Sequence, residues 1–151
     1  MDVTLDDDAR RHLALFEDVT GADGIDCLSV DGVDEVADNE SSGGRLIVVV
    51  SGGQMGEAIG PGGRTIQQYE DRVDLPVRLV EDADDPEEFV ANTLAPAAVY
   101  NVTISENEDI VAYVEVAEDD RGIAIGTNGR TIEAARTLAQ RHFDIDDVQL
   151  I

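Results

Sequence analysis

The sequence predicts an α+β protein made of two copies of one unit, each a three-stranded sheet packed against three helices. Shifting the chain by 66 positions places residues 56–66 on residues 122–132 with eight identities and no gap. Self-similarity at a fixed period is typical of a repeated supersecondary unit. Apolar residues make up 42% of the chain and occur in both halves, whereas aromatic residues make up 4%, which predicts small aliphatic cores. We therefore predict two domains, residues 1–82 and 83–151.

The first unit opens with a predicted helix from Asp7 to Thr20. Acidic residues begin this helix, its apolar side chains recur on one face, and Gly21 ends it. Runs rich in β-branched residues and bounded by turn residues predict the strands. The remaining predicted elements are a strand over residues 25–30, a polar loop ending in Ser41, Ser42, Gly43 and Gly44, a strand over residues 45–51, a short helix over residues 54–59, a helix from Arg64 to about Val73, and a strand over residues 76–80.

The second unit begins at a clear helix start signal. Asp85 is suited to an N-cap, Pro86 to the first helical position, and Glu87 and Glu88 to the positive end of the helix dipole. This helix is predicted to end near Ala95. The later predicted elements are strands over residues 99–105 and 110–116, a short helix over residues 120–125, a helix over residues 130–142 and a strand over residues 148–151.

The net charge predicts the medium in which the protein works. The chain has 34 acidic residues against 10 basic ones, all of them arginine, for a formal net charge of -24. Carboxylates at this density repel one another in ordinary buffer, but in molar salt the Debye length falls to about 3 Å and the repulsion is largely screened. We therefore predict a protein from a halophile that keeps molar salt in its cytoplasm.

The sequence argues against several classes of protein. Its strongest apolar run, residues 46–50, is far shorter than a membrane span, and the N-terminal acids are the wrong charge for a signal peptide. We expect a cytoplasmic protein with no membrane association. One cysteine, Cys27, and two histidines, His12 and His142, cannot form a disulfide or a Cys/His metal cluster, so no metal, cofactor or enzymatic activity is predicted.

Each unit contains a loop between two helices with glycine at both ends. Such a loop lets the backbone approach a ligand closely, and the following helix directs its unpaired N–H groups to the same place. Arg64 or Arg130 follows the loop, and no acid lies within residues 58–69 or 121–132. This combination suits a phosphate. The first loop is Gly60, Pro61, Gly62 and Gly63, and the second loop is Gly126, Thr127, Asn128 and Gly129.

Two nucleotide-binding motifs do not fit the loops. The P-loop pattern fails because Ala58 or Ala124 occupies its first glycine position, and the dinucleotide fingerprint fails at Thr65. The glycines can also be explained as a tight helix-to-helix turn with no ligand. The repetition of the whole segment in both units favours a shared binding role.

The segments over residues 59–66 and 125–132 resemble the GxxG segments of KH domains, and the order of elements resembles the type II KH arrangement. Two adjoining units of this kind, filling nearly the whole chain, resemble the archaeal NusA-like transcription factors. The resemblance implies two tandem type II KH domains and a non-enzymatic RNA-binding factor of transcription elongation, termination or antitermination. It also implies single-stranded RNA and RNA polymerase as partners, and we expect a monomer.

The resemblance further implies that each loop clamps the backbone of about four nucleotides, with the bases on an apolar floor. Family loops commonly carry a lysine in the two middle positions, and this chain does not. Because Pro61 also lacks a backbone N–H, we expect the second unit to bind more strongly. The implied RNA-binding residues are Gly60, Pro61, Gly62, Gly63, Arg64, Arg121, Gly126, Thr127, Asn128, Gly129, Arg130 and Arg136. The implied floor residues are Ile59, Ile66, Ile125 and Ile132, for which a role in the core is also open.

Two other functions stay open at this point. The same chemistry permits an RNA-binding protein of the ribosome or of ribosomal RNA assembly. Alternatively, the chain is a protein-interaction scaffold whose loops have lost RNA binding under the acidic surface.

Overall fold

The computed structural model describes residues 5–30 and 44–151, so Ser41, Ser42 and Gly43 of the predicted polar loop lie outside the described residues. The described chain divides between Asp82 and Ala83 into two compact units. Each unit contains one three-stranded sheet and helices, which confirms the α+β class. That each unit is an independent KH domain, with the bounds 1–82 and 83–151, stays a prediction.

The first unit has a central strand paired on both sides. β2 pairs antiparallel with β1 and parallel with β3. All five residues of β2 after Arg45 are buried, so this strand forms the middle of the unit. The elements are α1 (Asp7–Thr20), β1 (Gly24–Val30), β2 (Arg45–Val50), α2 (Met55–Ile59), α3 (Arg64–Val73) and β3 (Val77–Glu81).

The helix ends of the first unit agree with their sequence signals. The side chain of Asp6 accepts a hydrogen bond from the N–H of Ala9 at 2.8 Å, as an N-cap does. Gly21 ends α1 in the left-handed conformation, with a φ of 79°. These local interactions explain why the predicted bounds of α1 match the observed ones.

Two aromatic residues of the first unit meet edge to face. The rings of Phe16 and Tyr69 lie 5.1 Å apart, and Tyr69 donates a hydrogen bond from its hydroxyl to the carbonyl of His12 at 2.8 Å. Both aromatic residues are fully buried and join α1 to α3. Cys27 lies in the same core, where burial, and after it the nearby Asp26, raise the pKa of its thiol to about 12. Cys27 is buried, as free cysteines commonly are.

The second unit repeats this arrangement. β5 pairs antiparallel with β4 and parallel with β6. Its core is mainly small and aliphatic, and Phe89 packs against His142 and Phe143 at its edge. The elements are α4 (Pro86–Thr93), β4 (Val99–Glu106), β5 (Ile110–Val116), α5 (Arg121–Ile125), α6 (Arg130–Phe143) and β6 (Asp147–Leu150).

The second unit also shows small departures from the predicted bounds. Asp85 caps α4 as predicted, accepting from the N–H of Glu88 at 3.0 Å, but α4 ends at Thr93 rather than near Ala95. A 3-10 turn at Glu118–Asp120 precedes α5, and β6 begins one residue earlier than predicted. Within the described residues, no helix has both the length and the apolar character needed to cross a membrane.

Candidate nucleic-acid interface

The two glycine loops have the same backbone conformation. Each is a single 3-10 turn, Pro61–Gly63 between α2 and α3 or Thr127–Gly129 between α5 and α6. In both loops the N–H of the last glycine donates to the carbonyl of the first at 3.0 Å, and the N–H of the following arginine donates to the carbonyl of the second loop residue. The predicted equivalence of the loops therefore holds at the level of individual hydrogen bonds.

The first glycine of each loop is required for two reasons. Gly126 has a φ of 82° and a ψ of 167°, and Gly60 has nearly the same values. This region of backbone space is open almost only to glycine. A Cβ atom would also overlap the side-chain hydroxyl of Thr65 or Thr131, which lies directly behind the loop. The threonine of the repeated Gly-Arg-Thr segment thus packs against the first loop residue.

The last glycine of each loop faces open space. A Cβ atom added to Gly63 or Gly129 would meet nothing within 4 Å, although both residues have a φ of 76°. Their requirement for glycine is therefore conformational rather than steric. No other part of the chain covers this side of the backbone at these positions, as is expected where a ligand approaches the main chain.

The middle residues differ between the loops in hydrogen-bonding capacity. Asn128 adopts the left-handed conformation with a φ of 56°, as Gly62 does with a φ of 63°. The hydrogen bonds that close the second loop use the N–H groups of Gly129 and Arg130, so those of Thr127 and Asn128 take no part in them. Pro61 has no N–H to offer. All four middle residues are exposed.

The four predicted floor residues are not equally accessible. Ile59 and Ile125, which end the helices before the loops, keep 39% and 41% of their surface exposed. Ile66 is half-buried against the first core, and Ile132 is 7% exposed within the second core. Only Ile59 and Ile125 therefore present a sizeable apolar surface, and Ile132 acts mainly in packing.

The predicted arginines also lie in different settings. Arg64 is exposed, and its guanidinium lies over the first loop, since a Cβ added to Gly62 would be 3.7 Å from its Nη1 atom. Arg130 is half-buried. Nη1 of Arg121 donates to the main-chain oxygen of Ile151 at 2.9 Å, which connects α5 to the end of the last strand.

Arg136 has carboxylate partners on two sides. Its Nη1 lies 2.5 Å from Oε2 of Glu133 and its Nε lies 2.9 Å from Oδ1 of Asp147. The same Nε donates to the carbonyl of Val148 at 3.1 Å. A hydrogen bond from the side chain of Gln149 lowers the pKa of Asp147, and the N–H of Val148 and the Arg136 guanidinium lower it further.

Sequence reasoning did not include Glu133 and Asp147 in the site. The spacing of Glu133 and Arg136, three positions apart on one helix, was a readable signal for an ion pair. The contact between Arg136 and Asp147 joins α6 to β6, and the sequence alone contains no signal for it. Within the described residues, no group of histidine, cysteine or acidic side chains could hold a metal ion.

The α+β fold with its glycine loops between paired helices is consistent with a protein of the KH type. Residues 86–150 match the family described as NusA-like second KH domain. The chain is 55% identical over 150 residues to the probable transcription termination protein NusA of Halococcus morrhuae, and 50% identical to that of Halobacterium salinarum, with 99% of each chain covered. The crystal structure of APE1850 is 30% identical, with a TM-score of 0.73, and the match covers 95% of this chain and 98% of that one. This chain belongs to the archaeal NusA family.

These comparisons confirm the resemblance found in the sequence. The relatives have the name of a transcription termination protein and not that of an enzyme, in agreement with the prediction. Both genera named above are halophilic archaea. A more distant relative, the probable transcription termination protein NusA of Methanococcus vannielii, is 29% identical over 152 residues, which are 100% of this chain and 81% of that one.

Proposed function

We propose that this chain is a single-stranded RNA-binding factor of transcription elongation, termination or antitermination that holds the RNA backbone with its two loops. The observation that carries this proposal is the pair of exposed, conformationally matched loops, both free of acids, on a chain with a net charge of -24. The names of the relatives support the role in transcription. RNA polymerase contact, a monomeric state and a cytoplasmic location belong to the same proposal.

The second loop has the chemistry of a phosphate site. The N–H groups of Thr127 and Asn128 take no part in closing the loop, and the space beside Gly129 is open. The fourteen-residue helix α6 begins immediately afterwards and directs its positive end to the same point. A phosphate placed there meets main-chain donors and a helix N-terminus without meeting a carboxylate of the loop.

The exposed isoleucines give the bases an apolar surface. Ile125 ends α5 directly before the second loop, and Ile59 does the same in the first unit. Unpaired bases bury their faces readily against such surfaces when the backbone is held beside them. We therefore place the bases over these side chains and the phosphates against the loops.

The second unit is expected to bind RNA more strongly than the first. Pro61 removes one donor from the first loop. At matching positions of the preceding helices, the first unit has Met55 and Glu57 where the second has Arg121 and Ile123. Both exchanges make α5 less negative than α2.

A single Asn-to-Asp substitution tests the proposal. Asn128→Asp places a carboxylate in the second loop, and the backbone tolerates it, because Asp74 and Asp144 already adopt the same left-handed conformation in this chain. We expect the affinity for a short single-stranded RNA in molar KCl to fall at least about tenfold through repulsion of phosphate, with little change in melting temperature.

Asn107→Asp is the matched control for this experiment. Asn107 lies in the turn between β4 and β5, at the end of β5 away from α5, so its exchange adds the same charge without touching the loop. The control should bind RNA as the unmodified chain does. Equal affinity of all three proteins would contradict the proposal and favour a scaffold. Copurification with ribosomal subunits rather than RNA polymerase would move the RNA role to the ribosome.

A further inference from the structure

The helix after each loop is tied to the last strand of its unit at equivalent positions. The 66-residue shift aligns Glu70 of α3 with Arg136 of α6. It also aligns Leu46 with Ala112. In the parallel strand pairs, Leu46 lies opposite Val77 and Ala112 lies opposite Val148. The pair of Glu70 and Val77 in the first unit therefore corresponds to the pair of Arg136 and Val148 in the second.

The tie is present in both units although the helix residue has opposite charge. In the first unit, Oε2 of Glu70 accepts a hydrogen bond from the N–H of Val77 at 2.8 Å. In the second unit, Nε of Arg136 donates to the carbonyl of Val148 at 3.1 Å, while Oδ1 of Asp147 accepts from the N–H of Val148 at 2.8 Å. Because an acidic and a basic side chain both bond to the main chain of the strand here, we infer that the common role of this position is to hold the helix against the strand.

Arg136 pairs with two acids, of which Glu133 lies close to the second loop. Glu133 follows the loop by one helical turn, and its side chain is 68% exposed. The ion pairs at 2.5 Å to Glu133 and 2.9 Å to Asp147 place a single guanidinium between two carboxylates. An α-helix rises about 1.5 Å per residue, so Glu133 lies only about 4.5 Å along the axis from Arg130. Without its partner, Glu133 would place an uncompensated negative charge about one helical turn from a phosphate held at the loop.

We propose that Arg136 supports RNA binding without touching the RNA, as a positioning residue whose bonds to β6 hold its guanidinium where it masks Glu133. This inference rests on the proposed function and replaces the direct RNA contact that the family resemblance implies for Arg136. It identifies Glu133, Arg136 and Asp147 as one unit, in which Asp147 helps to hold the guanidinium that neutralises Glu133, the acid of α6.

A mutant cycle separates masking from direct contact. Arg136→Gln is made in the unmodified chain and in the Glu133→Gln, Asp147→Asn background, and RNA affinity is measured at the lowest KCl concentration that retains the native circular dichroism spectrum. We expect a loss of about fivefold in the unmodified chain, the upper range for exposed charge pairs, and no loss in the neutral background. The side-chain amide oxygen that Asp147→Asn introduces can still accept the N–H of Val148, so the background retains that contact.

Two results would overturn the inference. An equal or larger loss in the neutral background would show that the guanidinium itself binds RNA. No loss in the unmodified chain would show that Glu133 needs no masking. Either result leaves the proposed function intact if Asn128→Asp still weakens binding, whereas absence of RNA binding by the unmodified chain would reject the proposed function itself. Melting temperatures measured on all four proteins report the tie between α6 and β6 separately.

Discussion

At the scale of single residues, the loops are defined by what their glycines allow. Gly126 lies in a backbone region that other residues avoid and packs against Thr131, whereas Gly129 is constrained by its positive φ alone. Gly122, one turn before the loop, is helical and open at its Cβ position. Three glycines within eight residues therefore differ in the reason for their presence.

This difference predicts a graded series of stabilities. Gly126→Ala should lower the free energy of unfolding by about 3 kcal/mol or more, because strain and overlap with Thr131 add. Gly129→Ala should cost about 1–2 kcal/mol from its left-handed backbone alone, and Gly122→Ala should be neutral or slightly stabilising. Denaturant unfolding in molar KCl measures all three. Equal costs at Gly126 and Gly129 would contradict the packing that we assign to Thr131.

At the scale of helices and strands, local signals explain most of what the sequence predicted. The N-caps Asp6 and Asp85 and the glycine after α1 act within a few residues, so they can be read from the chain directly. Strand bounds have no such local signal, since they depend on the neighbouring strand. For example, β3 begins at Val77 and ends at Glu81, one residue later at both ends than predicted.

The sequence also predicted those parts of the candidate site whose constraints are local. Both loops follow from the repeated segment, because the constraint lies within the segment itself. The sequence did not separate the exposed Ile59 and Ile125 from the other two predicted floor residues. The burial of Ile132 and the contact of Arg136 with Asp147 come from packing between α6 and the sheet. Such contacts join residues that no sequence spacing connects, and for that reason Asp147 was missed.

At the scale of the whole molecule, the charge of -24 should make stability depend on salt. The ion pairs of Arg10 and Arg11 with acids of α1 are exposed, so they offset little of the repulsion. We predict that the melting temperature rises steeply from millimolar to molar KCl, because the Debye length falls from about 30 Å at 0.01 M to about 3 Å at 1 M. Sucrose, which does not screen charge, is the control and should stabilise less. A melting temperature independent of KCl would contradict this explanation of the composition.

The central claim is that the main chain of the loops binds RNA, and an NMR titration tests it most directly. Amide shifts are recorded while a short single-stranded RNA is added in molar KCl. We predict the largest changes at Thr127, Asn128, Gly129 and Arg130, with smaller ones at Gly62 and Gly63. Changes confined to other surfaces, such as the turn between β4 and β5, with the loop amides unmoved at saturating RNA, would contradict the claim.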